Sequence, residues 1–268
     1  MISLLTSLYR TDQYLDEFSE HLKNFAQELE QQNFPFELIA IANDPTEREK
    51  QFGKEFSGEP WFSFTIVKRE SVFASFNRAI AQAKGEIFGF WNADDIRYAF
   101  ALVEAQELFN KGAELVYFPF LVKRYFKIGP WNLPLPRQQI NKQIPEFNKE
   151  TSEQFKNSML CGPFFLFAKS LYEKVGPFDE QFKIAGDFDW CTRAAHKTDK
   201  FVKAKSLGGV FRVDGGGLSA GLNPRRTAEN NIVYMRNHSW DKIRLAEDLI
   251  IKQYHPHYLL KGNQFLKI

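Results

Sequence analysis

The sequence predicts an α/β protein with a mostly parallel central sheet flanked by helices. Two observations predict it. Short apolar runs alternate with amphipathic helical stretches through the first 120 residues, which is how repeated βα units read. Within that alternation, Ala79 to Ala83 closes a helical run, Lys84-Gly85 breaks it, and the apolar run Ile87 to Trp91 leads into Asn92-Ala93-Asp94-Asp95. Gly85 is expected in the left-handed turn after the helix. A continuous apolar run suits a strand buried on both faces. Ligands of open α/β sheets bind beyond the carboxyl ends of the strands. Two carboxylates there invite a hard divalent cation, which takes oxygen ligands and shares them with substrate phosphates.

The remaining elements follow in order. Ile2 to Leu8 reads as the first strand, and Asp12 to Glu30 as a helix with Leu15, Phe18, Leu22, Phe25 and Leu29 on one face. Phe36 to Ala42 is the second strand, ending in Asn43-Asp44-Pro45, and Trp61 to Val67 the third. Ser71 to Ala83 is a helix that Ser71 can cap. Glu86 to Trp91 is the fourth strand, Phe100 to Asn110 a helix closed by Gly112, and Leu115 to Phe120 the fifth strand. Between Lys127 and Asn157 periodicity is lost among Pro130, Pro134, Pro136 and Pro145, so a long loop is expected, either functional or disordered. Met159 to Phe167 is a strand and Lys169 to Val175 a short helix. From Asp241 a mixed basic and apolar helix through Ile243, Leu245, Leu249 and Ile250 precedes an irregular tail.

Composition sets the bounds. At 268 residues the chain suits one large domain or two closely packed halves. A net charge of +2 gives no case for a nucleic-acid partner. Cys161 and Cys191 are the only cysteines, which excludes a disulfide scaffold and a cysteine-only zinc site. No charged leader precedes the apolar start, and no run approaches the roughly 18 apolar residues of a membrane span. The expectation is a cytoplasmic protein, with the basic–apolar tail either packed on the domain or in peripheral contact with the inner face of the membrane.

The segment helix–Gly85-Glu86–strand–Asp94-Asp95 resembles the DXD-bearing segment of family 2 glycosyltransferases of the GT-A fold. Val175-Gly176-Pro177-Phe178-Asp179-Glu180, Gly186 to Arg193 and Phe211 to Ser219 extend the resemblance over Ile2 to Leu222. It implies a Rossmann-like sheet with a smaller acceptor-side portion. Residues 1–240 would be the transferase domain, with a nucleotide-sugar-binding half (1–120) and an acceptor half (121–240) carrying a mobile loop at about 127–157. Residues 241–268 would be a C-terminal helix and tail. The resemblance further implies that Asp94 and Asp95, beside Asn92, hold Mn²⁺ or Mg²⁺ against the donor diphosphate. Asp214 stands where some relatives place a metal-ligating histidine, ahead of a Gly215-Gly216-Gly217 run whose amides can cradle phosphate. Asp44 would bind the nucleobase, and Thr6, Ser7, Tyr9 and Arg10 form the nucleotide-contacting first loop. Asn77, within the Arg69 to Arg78 segment, would lie beside the nucleoside. Cys161, Gly162 and Trp190 fall on the acceptor side.

The same resemblance makes Asp187 the base that deprotonates the acceptor hydroxyl in a single inverting displacement. Gly186 departs from the glutamate the family often has at that position. A plainer reading makes Asp187 a helix N-cap and pairs Asp189 with Arg193 at i,i+4. The expected partners are a nucleotide-sugar donor, foremost a UDP-sugar, and a glycan or lipid-linked acceptor. The rival functions are a non-catalytic nucleotide- or sugar-binding subunit and a sugar nucleotidyltransferase. The latter wants a glycine-rich loop after the first strand, and Leu8-Tyr9-Arg10-Thr11 is short and has no glycine.

Overall fold

A computed structural model describes residues 1–128, 131–134, 139–140, 144–214, 224–243, 258–261 and 264–267. The chain runs β1 (Ile2–Leu8), α1 (Leu15–Gln31), β2 (Phe36–Asn43), α2 (Glu47–Glu55), β3 (Phe62–Val67), α3 (Val72–Gln82) and β4 (Ile87–Phe90). It continues with β5 (Ile96–Arg97), α4 (Ala99–Asn110), β6 (Leu115–Tyr117), β7 (Leu121–Ile128), β8 (Trp131–Pro134), β9 (Gln139–Ile140) and α5 (Ser152–Phe155). Then come β10 (Phe165–Ala168), α6 (Lys169–Val175), α7 (Gly186–Ala195), β11 (Phe201–Lys203), β12 (Gly209–Val213), α8 (Pro224–Arg236), β13 (Tyr258–Lys261) and β14 (Gln264–Lys267).

Seven strands form the main sheet in the order β11-β6-β10-β4-β1-β2-β3. All neighbours are parallel except β10, which runs antiparallel to both β4 and β6. It returns from the long excursion after β6 rather than from a βα crossover, so no rule of handedness fixes its direction. A second sheet, β5-β12-β7-β8 with β9 on β7, is tied to the residues after β4 by the Arg212 N–H, which donates to Asp95. The apolar face of α1 is buried as its spacing predicts, and the Trp91 ring packs against Phe25 at 4.6 Å and edge-on against Phe18 at 5.3 Å. Aromatic packing of this kind places the end of β4, and the acidic pair beyond it, on a rigid base.

Several expectations are corrected. Gly85 does not adopt a left-handed turn: a Cβ there would stand 2.7 Å from the Met1 carbonyl oxygen and 2.4 Å from Ser3 Oγ, so close approach of β1 requires the glycine. Helix α2 was not foreseen, although Thr46-x-x-Glu49 is a capping box with both reciprocal bonds made. The stretch after Lys127 is not uniformly irregular, since β7, β8, β9 and α5 occupy parts of it. The strand expected from Met159 shrinks to β10, because Gly162 turns with φ +67° ahead of Pro163. In the tail, β13 and β14 pair antiparallel, where an irregular segment was expected. The helix expected beyond Ile243 lies outside the described residues. Among the described residues no helix is long and apolar enough to cross a membrane.

Candidate active site

Three successive βα connections build one edge of the site. Thr6 is fully buried, and its hydroxyl donates to the Trp91 carbonyl at 2.7 Å, tying β1 to the end of β4. Its side chain is therefore a strand tie and not a ligand contact. The Asn43 amide donates to Ser7 Oγ (3.3 Å) and Ser75 Oγ (3.0 Å) and accepts from the Glu70 N–H (3.0 Å). Glu49, fully buried, accepts from the Thr11 N–H and hydroxyl at 2.9 and 2.8 Å, fastening the first loop to α2.

This scaffold leaves Tyr9, Arg10, Asp44 and Arg69 at the surface of the edge. Arg10 and Asp44 hold φ of +57° and +40°, a costly region for residues with a Cβ that persists where the surroundings impose it. Asp44 Oδ2 accepts the Arg69 N–H at 3.1 Å. The Arg69 guanidinium lies 4.0 Å from the Tyr9 ring centroid and that of Arg10 5.9 Å. The result is a flat cation–aromatic wall beside a carboxylate. Sequence reasoning singled out the segment opening at Arg69 without giving Arg69 a role; nothing local marks it, because the stack forms across two loops.

The acidic pair stands beyond β4. Asp95 is almost fully buried; its Oδ1 accepts the Arg212 N–H at 3.0 Å and Asn92 bonds to the same carboxylate. Burial pushes the Asp94 and Asp95 carboxyls up, with the Asp214 charge adding to Asp94 and the Asp94 charge adding to Asp95. Asp214 Oδ2 accepts from the Tyr14 hydroxyl and from Arg212 Nε, both at 3.0 Å. Arg212 also donates to Glu17 at 2.8 Å and lies 4.0 Å from the Tyr125 ring. Beneath the pair, buried Arg97 donates to the Phe90 carbonyl at 3.0 Å, and burial lowers its guanidinium to about 9. Its two terminal nitrogens find no hydrogen-bond partner among the described residues.

Among the described residues no three His, Cys, Asp or Glu side chains are set to hold a metal ion. Asp94 and Asp95 fit: they offer hard oxygen donors whose proton affinity is raised by burial, with the Asp214 charge adding at Asp94 and the Asp94 charge at Asp95, and a cation would offset that repulsion. Asp214 is held by Tyr14 and Arg212 instead. The Gly215-Gly216-Gly217 run lies outside the described residues.

Asp187 opens α7 on the same side of the sheet. Ser71, the N-cap of α3, donates to the Glu180 carbonyl at 2.7 Å, and a Cβ on Gly186 would stand 2.6 Å from the Phe73 ring of α3. A glutamate at 186 would therefore have to displace that ring. Asp187 is half-buried and accepts the Phe188 N–H at 2.8 Å. Burial, reinforced by the Glu229 charge, pushes its carboxyl up to about 6. Asp189 pairs with Arg193 at 2.9 Å and Arg236 at 2.6 Å in the interior.

Three expected contacts lie elsewhere. Trp190 is fully buried, donates to the Gly176 carbonyl and packs 4.5 Å from Phe167, so it is core and not acceptor wall. Asn77 donates to Phe178 and Glu180 and accepts from Tyr172 and the Phe178 N–H, so it clamps the 176–180 turn and does not face the donor edge. Cys161 is buried against Cys191, which leaves Gly162 the more accessible of that pair.

Residues 3–176 match the model of glycosyl transferase family 2. The chain belongs to that family. Solved structures resemble the chain as well. S. aureus TarS residues 1–349, solved with UDP-GlcNAc, superpose with a TM-score of 0.65 at 16% identity over 94% of this chain and 71% of that one. The Pyrobaculum calidifontis mannosyltransferase PcManGT, solved with GDP-Man and Mn²⁺, gives 0.62 at 16% over 98% and 70%. The chain spans 42% of the longer TarS structure. At these identities the likeness fixes the fold, which is GT-A. No curated protein matches the chain significantly in sequence.

Proposed function

We propose that this family 2 member is an inverting glycosyltransferase that moves a sugar from a nucleoside diphosphate-sugar, foremost a UDP-sugar, to a hydroxyl of a glycan or lipid-linked acceptor in cell-surface glycan synthesis. The observation that carries the reading is Asp187: a half-buried carboxylate at a helix start, on the ligand edge of the sheet, with its proton affinity raised to about 6. A base poised near neutral pH accepts a proton efficiently as the acceptor oxygen attacks. Tyr9, Arg10, Asp44 and Arg69 supply a flat wall and a carboxylate acceptor suited to a nucleobase. Asp94 and Asp95 are the residues that would hold Mn²⁺ or Mg²⁺, which when bound supplies Lewis-acid neutralisation of the leaving diphosphate. Arg212, fixed by Glu17 and Asp214, adds a cation near the same place.

Calorimetric binding of UDP, GDP and dTDP, each with and without Mn²⁺, to wild type and Asp95→Ala tests the reading. The expected result is metal-dependent binding of one nucleotide that the substitution removes. Absence of binding by all three would overturn the donor site.

A further inference from the structure

Three consecutive backbone amides lie just ahead of α7, and all three donate to one side chain, Glu229 of α8. Lys183 N–H reaches its two oxygens at 3.0 and 3.1 Å, while the Ile184 and Ala185 N–H groups reach Oε2 at 2.7 and 2.9 Å. Successive amides converging on an anion form a cradle of the kind that binds phosphate elsewhere; here it is filled by a carboxylate from 44 to 46 residues downstream. Glu229 is fully buried, and a buried carboxylate without such bonds is strongly unfavourable. Helix α8 is tied a second time, since Arg236 near its end donates to Asp189 of α7 and to Asp179 at 2.8 Å.

The cradle runs directly into Gly186 and Asp187, and the Phe73 ring closes the opposite side. Among the described residues the ionisable groups facing Asp187 are Glu229 from α8 and the Cys191 thiol of α7, a free thiol hydrogen-bonded to that of Cys161. Burial pushes the Cys191 thiol well up, so it stays neutral. Glu229 is thus the charged neighbour among the described residues.

The geometry points to Glu229 as a positioning residue for the base: it locks the loop that presents Asp187 and sets a negative charge against it. This rests on Asp187 acting as the base of the proposed transfer. The two contributions separate in two variants. Glu229→Gln removes the charge and keeps the length, whereas Glu229→Asp keeps the charge and withdraws it from the cradle.

The test follows the Asp187 carboxyl by ¹³C NMR in the full chain, its resonance assigned with Asp187→Asn, alongside hydrogen exchange of the Lys183, Ile184 and Ala185 amides. Wild type is expected to titrate near 6 with the amides protected. Glu229→Gln moves the midpoint to lower pH, and Glu229→Asp leaves it near 6 while amide exchange speeds about tenfold or more. A midpoint and exchange rates unchanged in Glu229→Gln would overturn the inference; should that variant not fold, unchanged amide exchange in Glu229→Asp would do so. Full turnover by Asp187→Asn would instead remove the base reading itself, whatever Glu229 does.

Discussion

At the donor edge, Tyr9, Arg10, Asp44 and Arg69 hang on consecutive βα connections of one parallel sheet, whereas Asp187 is held by a ring from α3 and a carboxylate from α8. The first arrangement is local: each residue leaves the end of its own strand, and strand register sets the spacing. The second is assembled from segments that lie far apart in sequence. A nucleotide-binding edge made this way tolerates loss of one contact, because the sheet keeps the others in place. A base made the second way depends on partners that no neighbouring residue replaces.

Substitutions test that contrast. Asp187→Asn is expected to lower turnover by about 10²–10⁴ and leave nucleotide affinity unchanged, read as nucleotide release beside calorimetric binding. An equal fall in both would break the division between the two edges. In wild type, Asp187 must be ionised to accept a proton, so turnover should fall about tenfold per pH unit below 6 and level off above it; a pH–rate profile flat across 6 would remove Asp187 as base. Trp190→Ala should cost about 3–5 kcal/mol of folding stability by chemical denaturation. An acceptor-side role for the indole would instead leave stability intact and raise the acceptor KM. Arg69→Ala should weaken nucleotide binding roughly fivefold, the worth of about 1 kcal/mol from a lost cation–π wall, with kcat unchanged. Thr46→Ala, which removes the α2 cap, should cost about 1 kcal/mol of stability and leave both affinities near wild type.

What the sequence made legible tracks this same division. The strands β1 to β4, the cap Ser71 and the acidic pair after β4 are written in nearby residues, through apolar runs and capping chemistry. The pairing of Asp189 with Arg193 is legible for the same reason, four residues being one helical turn. Trp190 was misread because an aromatic residue beside a candidate base has the same local pattern whether it faces a cleft or the interior. Only the rings brought to it by β10 and the 176–180 turn decide between them. Asn77 was misplaced likewise, since its four bonds go to residues about 100 positions on. Helix α2 carried a readable cap and was missed through short length and weak apolar content.

The antiparallel strand β10 has a consequence for how the chain is made. It lies between β4 and β6, so when residue 120 leaves the ribosome those two strands have no direct hydrogen-bonded contact. The nascent chain can pair β1 to β4 as each emerges, but β6 must wait until Phe165–Ala168 has been synthesised, and β11 waits on β6. At about 5–20 residues per second this leaves an apolar strand unpaired for several seconds. Ribosome-stalled chains from which residue 168 has not yet emerged and those from which it has just emerged should differ sharply in protease resistance.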